Sequence, residues 1–337
     1  MSVDGYEILP CGADLIPGVA ELLRHLVGGD ADENARYLTW KYVDNPYAVK
    51  PLGTVAFCEG TIVGFRGYFP TVWHVPATGH QTVVLSPGDT CVHPDHRKRG
   101  LSVDMGHAAM EMYAPDCKAF LNLSSGVASA PGYMRMGFAP IMSKTRLMRA
   151  SLLGLVKYAC TEKLNLPLRA ARLKLPTSAV EASDGPMPDE MAALSTTRNI
   201  RERRLTIWQD AAFFRWRFNN PNGKYVFYYG RDGEHVTSYL VAGVSRNNRH
   251  AHVLDFAPKD AHIIGAVLGA IVSASHFDLI SMYRFMADHD LLSVLSGLKF
   301  RVDAPRKQGT KQARSSTVLV RPVTRSPAPD DAVGMRH

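Results

Sequence analysis

The segment Asp89-Thr-Cys-Val-His-Pro-Asp-His-Arg97-Lys98-Arg99-Gly100-Leu101-Ser102 holds the residue types best suited to gripping an anion. Three consecutive basic side chains precede Gly100. Helical spacing begins at Leu101, so unpaired amides and the positive end of a helix dipole lie directly behind the charges. Gly100 lets the backbone come close to a ligand or take a positive φ, and the small side chain of Ser102 leaves room at the first helical turn. The dipole contributes only ~0.3–1 kcal/mol at an exposed site, so several amides and a basic side chain must act together. Taken alone, the motif favours an ordinary exposed turn that opens a helix. Two other clusters are less informative. His93, His96 and His107 straddle a loop and a helix with no cysteine pair to complete a zinc set, and Ser124-Ser125-Gly126 fits either a ligand cradle or a strand-end turn.

These residues need a scaffold, and the apolar periodicity supplies one. Tyr6 to Leu9 reads as a strand. Ala13 to Leu26 has helical spacing, with Leu15, Ile16, Val19, Leu22, Leu23 and Leu26 on one face. Thr54 to Glu59 and Thr61 to Phe69 form a hairpin around Glu59-Gly60. Thr82 to Leu85 and Asp89 to Val92 read as a strand interrupted by Ser86-Pro87-Gly88. After the polar loop come a helix over 101–113, a strand over 119–123, a short helix from Ala128 to Met136, and a strand opened by Phe138. The order is β-α-(β-β-β)-α-β-α-β, a mixed α/β fold.

A fainter copy follows. Tyr37-Leu-Thr-Trp40-Lys-Tyr-Val-Asp-Asn45-Pro46 resembles Phe213-Phe-Arg-Trp216-Arg-Phe-Asn-Asn220-Pro221, about 175 residues on. Strands then flank Gly230-Arg-Asp-Gly233, and strand, helix, strand and helix follow at His252–Phe256, Ile263–Ala274, Leu279–Met282 and Leu291–Leu298. The expected organisation is a first domain over 1–150, a basic linker over 151–182, a second domain over 183–323 and a flexible tail over 324–337.

The bulk numbers set outer limits. The chain has 337 residues, 46% hydrophobic and 21% charged, enough to bury two cores. The longest apolar run, Ile263 to Ala274, is shorter than the ~20 residues that cross a bilayer. The acidic N-terminus has no signal-peptide pattern. Five cysteines without close pairs fit reduced thiols and a cytoplasmic location. The net charge is +8, with basic runs over 144–174 and 301–325 in which Tyr158 is the single aromatic. That pattern fits a solvated face or attraction to a polyanionic small molecule better than a nucleic-acid platform.

The arrangement Arg97-x-x-Gly100-x-Ser102 resembles the acetyl-coenzyme A loop R/Q-x-x-G-x-G/A of the GNAT superfamily. It is preceded by Val92-His-Pro94, like the usual V-x-P. Ser129-x-x-x-Tyr133-x-x-x-Gly137-Phe138 resembles the family's A-x-x-x-Y-x-x-x-G-F segment. The motifs cover roughly 83–140. The paired Trp-aromatic-Asn-Pro segments are similar to tandem GNAT proteins, some of them tied to sugar modification.

The resemblance implies two GNAT-like domains in tandem and an acyl-coenzyme A-dependent N-acyltransferase, with acetyl-coenzyme A or another acyl-coenzyme A as co-substrate and no metal. Its implied cofactor contacts are Cys91, Val92, Arg97, Lys98, Arg99, Gly100, Leu101 and Ser102. A backbone N–H near Cys91-Val92 would polarise the thioester. Tyr133 would be the acid for the leaving thiolate, or else a core tyrosine beside Phe138. Asp89 would be the base, or else a solvated turn residue, with Glu59 and His74 as weaker candidates. The expected partner is a small-molecule amine such as an amino sugar, without membrane or nucleic acid, and a homodimer is left open. Ser102 replaces the usual Gly or Ala, and Gly126 stands where many members carry Asn. The second copy has Asp255-Phe-Ala-Pro258-Lys-Asp-Ala-His and no such loop, so one active site per chain is expected, in the first half. An aminoacyl-tRNA-dependent transferase and a non-catalytic acyl-coenzyme A sensor are the competing readings.

Overall fold

The computed structural model describes residues 2–3, 5–76, 78–126, 129–143, 145–162, 180–201, 206–245, 249–274, 277–284, 289–302 and 317–323. The expected tail over 324–337, most of the linker, and Ala128 at the start of the expected short helix lie outside them.

The first half opens with β1 (Ser2–Val3), β2 (Tyr6–Pro10), α1 (Ile16–Val27) and α2 (Ala31–Leu38). The face of α1 that carries Ile16, Val19, Ala20, Leu22 and Leu23 is buried, as its 3.6-residue period requires. The α2 helix was not foreseen from the apolar pattern. Its start was nevertheless written locally, since the Asp30 side chain accepts from the Asp32 and Glu33 amides, an N-cap. A wide π-type turn, Thr39–Val43, extends it and buries Trp40 and Tyr42. Then come β3 (Gly53–Cys58), β4 (Thr61–Val75), β5 (His80–Val92), α3 (Leu101–Tyr113), β6 (Ala119–Ser125), α4 (Ala130–Arg135) and β7 (Ala139–Ser143).

The second half runs through β8 (Thr145–Ala150), α5 (Leu152–Glu162), β9 (Val180–Ser183), α6 (Pro188–Arg201), β10 (Thr206–Ile207), α7 (Ala211–Arg217), β11 (Tyr225–Asp232), β12 (His235–Val244), β13 (His250–Ala257), α8 (Ala261–Ala274), β14 (Leu279–Arg284), α9 (His289–Gly297), β15 (Arg301–Val302) and β16 (Thr317–Pro322).

Two mixed sheets result. The first has the order β1-β2-β3-β4-β5-β6-β16-β7, with β10 pairing β4, and the second β15-β8-β14-β13-β12-β11-β9. In each, the described pairings are antiparallel except one: β5 with β6 in the first, β13 with β14 in the second. Each parallel pair is bridged by a helix, α3 or α8, so the order of elements repeats. The halves meet around Trp40 and Trp216, whose indoles stack with centroids 5.3 Å apart and planes at 14°. Each indole N–H donates to the other's backbone carbonyl at 2.7 Å, a reciprocal contact expected of two related copies.

The sheets also exchange strands. β8 pairs β14 and β15 of the second sheet, and β16 lies between β6 and β7 of the first. β8, within the expected first domain, therefore joins the second sheet, and β16, within the expected second domain, joins the first. β9, at the end of the expected linker, pairs β11.

The expected break at Ser86-Pro87-Gly88 does not end the strand: β5 continues from His80 to Val92 along β4, with a register shift just past Gly88. The reason lies on its other edge. β5 and β6 pair only at Val84↔Ala119 and Leu85↔Phe120. Pro87 falls just past that point, where a missing N–H forfeits no bond to β6.

Candidate active site

Beyond Leu85 and Phe120 the strands part. β5 continues to Val92 and β6 to Ser125, with no pairing to each other among the described residues. Backbone groups of β5 that would have met β6 thus face a gap, where a ligand can use them.

At the same level β5 bulges. Phe65 faces Cys91 and Gly67 faces Gly88, so Arg66 alone stands opposite Asp89 and Thr90. Asp89 takes φ 49°. A bulge of two residues against one re-aims side chains, and here it sends three neighbours to different partners. Asp89 meets the turn after α2, Thr90 meets Tyr133, and Cys91 meets α1.

The polar loop follows. Lys98 has φ 66° and Gly100 φ 82°. Gly100 caps α3 with no side-chain acceptor on its first amides, and its carbonyl receives the N–H groups of Val103 and Asp104 at 2.7 and 3.3 Å. The first-turn amides of Leu101 and Ser102 have no intrahelical acceptor, which suits an anion. Arg97, Lys98, Arg99 and Gly100 are exposed. Arg97 Nε donates back to the Val92 carbonyl at 3.0 Å, tying the loop to the strand end. Arg99 donates to Tyr6 Oη and the Asp95 carbonyl at 3.1 and 3.2 Å. The Leu101 side chain is in the core, so only its backbone can serve a ligand.

The second half offers a contrast. At the start of α8 the Asp260 carboxylate accepts from the amides of His262 and Ile263 at 2.9 and 3.0 Å. The Ile263 bond and then the His262 bond and nearby charge hold Asp260 below the usual carboxylate range. A built-in anion already sits where a phosphate would go.

Tyr133 is buried against Phe138, ring centroids 5.1 Å apart and edge-on, as a core residue would be. Its phenol nevertheless reaches Thr90 and Asn122, one on each parted strand. Burial raises its pKa, and Arg66, Thr90 and Asn122 pull it back. Arg66 places its guanidinium 4.8 Å from the Tyr133 ring centre.

Asp89 is not a free carboxylate. It accepts from Lys41 Nζ at 2.7 Å, Tyr42 Oη at 2.7 Å and Tyr37 Oη at 3.2 Å. Lys41 sits among the rings of Tyr37, Tyr42 and Phe69, 5.1–5.6 Å from their centres. Despite burial, Asp89 and then Tyr37 raise the Lys41 pKa, so it carries its charge. Gly67 and Gly88 make room, since a Cβ at Gly67 would run into the Tyr42 ring and one at Gly88 would come within 2.9 Å of Lys41 Nζ.

Cys91 turns away from the gap. Its thiol contacts the Leu22 carbonyl at 3.5 Å, and burial raises its pKa, which disfavours a thiolate nucleophile. Glu59 lies in the exposed β3–β4 turn and His74 pairs across to β10 beside Trp208, so neither joins this cluster. Among the described residues no group of three or more His, Cys, Asp or Glu could hold a metal ion, and no helix is long and apolar enough to cross a membrane.

A bulged strand parts from its parallel neighbour, and a helix start without a side-chain cap lies at its end. Residues 20–141 match the family model of the acetyltransferase (GNAT) domain. The chain therefore carries a GNAT acetyltransferase domain in its first half, and the whole has the fold of GNAT N-acetyltransferases.

It is similar to the GCN5-related N-acetyltransferase of Anabaena variabilis (TM-score 0.64, 11% identity, 95% of this chain and 73% of that one). It also resembles Eis1 from Mycobacterium abscessus (0.58, 16%, 94% and 73%) and a probable N-acyltransferase from Enterococcus faecalis (0.62, 12%, 94% and 72%). No curated protein matches the chain.

Arg66, Thr90, Asn122 and Lys41 were not singled out from the sequence. Arg66, a lone charge in the otherwise apolar or neutral run Thr61–Val75, was the one with a readable signal.

Proposed function

We propose that the first half transfers an acyl group from an acyl-coenzyme A, acetyl-coenzyme A first among them, to a primary amine of a small molecule. The observation that carries this reading is the parting of β5 and β6 with the Tyr133 phenol between them and the Gly100 helix start at its mouth. The amides of α3 and the basic loop receive the pyrophosphate. The pantetheine arm takes the place of the missing strand pairing, and a β5 amide near Cys91-Val92 donates to the thioester oxygen.

The amine nitrogen forms the C–N bond, the C–S electron pair leaves on sulfur, and Tyr133 gives sulfur its proton. The amine's surplus proton passes to water. Asp89, already bound to an ammonium and two phenols, holds Lys41 and the aromatic wall in place rather than receiving that proton. The second half, with Asp260 filling its helix start, supplies structure.

The test is thermal stabilisation by acetyl-coenzyme A, followed by thiol release with a panel of amines that includes amino sugars. Stabilisation with amine-dependent thiol release is expected. No shift at millimolar ligand sinks the reading, and a shift without release for any amine points to a sensor.

A further inference from the structure

Arg66 is 3% exposed and makes no ion pair with a described residue. Its Nε donates to Tyr68 Oη at 2.9 Å and its Nη1 to the Ser102 carbonyl at 2.9 Å, both neutral acceptors. Its Nη2 is buried without a hydrogen-bond partner among the described residues. Asp89, its neighbour across the bulge, spends its carboxylate on Lys41 and the two phenols of the other face.

Taking an uncompensated guanidinium out of water costs several times what its contact with the Tyr133 ring returns. The surrounding chain nevertheless makes room for it: at Gly106 on α3 an added Cβ would press on Met136 and lie 3.4 Å from the Arg66 guanidinium carbon. A buried cation maintained without a counter-ion is a place where negative charge is meant to form, and Arg66 lies between the carbonyl of Ser102 in the cofactor loop and Tyr133.

We propose that Arg66 is the electrostatic partner of the leaving sulfur: its fixed charge, acting beside Tyr133, stabilises the coenzyme A thiolate that develops as the C–S bond breaks. This rests on the acyl-coenzyme A reading above. The titratable groups beside it are Tyr68 on its own strand and Tyr133 on α4, while the Asp104 carboxylate on α3 lies towards Gly100. Asp89 and Lys41 lie across the sheet. As a positioning charge it need not touch the acyl group. It should favour the sulfur over the rest of the cofactor, and favour the thiolate over the thiol.

The experiment compares the binding of coenzyme A and desulfo-coenzyme A from pH 7 to pH 9.5, by calorimetry, to the wild type, Arg66→Met and Arg66→Lys. The wild type is expected to prefer coenzyme A by about tenfold at the alkaline end, one pKa unit of thiol stabilisation, with the preference shrinking towards pH 7. Arg66→Met should bind desulfo-coenzyme A as the wild type does, lose the preference, and turn over at least tenfold more slowly. Arg66→Lys should keep most of the preference. Should Arg66→Met not be recovered folded, Arg66→Gln keeps two donors without the charge and makes the same comparison. An undiminished preference in the uncharged variant overturns the proposal, as does equal weakening of both ligands, which would make Arg66 a support of the α3 start. If the wild type binds neither ligand, the coenzyme A reading fails and this one with it.

Discussion

At the scale of single residues, two phenols and two cations divide the work. Tyr133 spans the parted strands, and Tyr42 anchors Asp89. Arg66 is buried and Lys41 half-buried, but only Lys41 has a carboxylate partner among the described residues. That difference separates a structural ion pair from a charge held in reserve.

Tyr133→Phe removes the proton for sulfur while keeping the ring on Phe138 and Arg66. Turnover should fall ~10²-fold, with the affinity for acetyl-coenzyme A within a factor of two, by steady-state kinetics and calorimetry. An acid is competent below its pKa. Because burial raises that of Tyr133 from its ordinary value near 10, the wild-type rate should show no descending limb from this group below pH 10. Lys41→Met leaves the Asp89 carboxylate without its cation. It should lower the unfolding free energy by about 3 kcal/mol, the scale for breaking a buried pair, by denaturant titration. Retained stability would show that Asp89 is solvated after all.

At the scale of elements, the bulge in β5 sets the geometry. It sets Asp89, Thr90 and Cys91 on separate errands and leaves Arg66 facing two residues. The wide turn after α2 brings Lys41 and Tyr42 over the sheet, and the glycines of β4 and β5 let them lie flat. Gly67→Ala puts a methyl into the Tyr42 ring, overpacking worth ~1–3 kcal/mol. The expected outcome is a lower Tm and a looser grip on Asp89. An unchanged Tm would mean that Tyr42 swings aside at no cost. At the cap position α3 has Gly100, with no side-chain acceptor, whereas α8 has Asp260, whose carboxylate takes the first-turn amides. That local difference leaves the first-turn amides open in α3 and occupied in α8.

At the scale of the molecule, the halves are locked by exchange. β16 is sandwiched between β6 and β7, so the strand that borders the gap beside β5 is held on its far side by residues almost 200 positions away in sequence. A chain ended at Val302 loses that strand and leaves two edges unpaired. It should lose cooperative unfolding and any thermal shift with acetyl-coenzyme A, whereas a chain ended after Val323 should keep both. A ligand shift that survives in the shorter chain would show the first half to be self-sufficient.

The sequence alone determined what is local. The loop Arg97–Ser102, the Tyr133–Phe138 segment and the Trp40/Trp216 repeat are contiguous, and each element's apolar period follows from its own burial, so the GNAT domain, the doubled order and the difference between the two helix starts could be read without coordinates. Tertiary structure decided what depends on pairing. β7 and β8 are separated in sequence only by Lys144, yet they lie in different sheets, because a strand's partner is chosen by the edge that is open to it. Pro87 reads as a break and is not one, because β6 has already left. Arg66, Thr90, Asn122 and Lys41 gather around Tyr133 and Asp89 from three strands and a turn, and no spacing along the chain encodes that gathering.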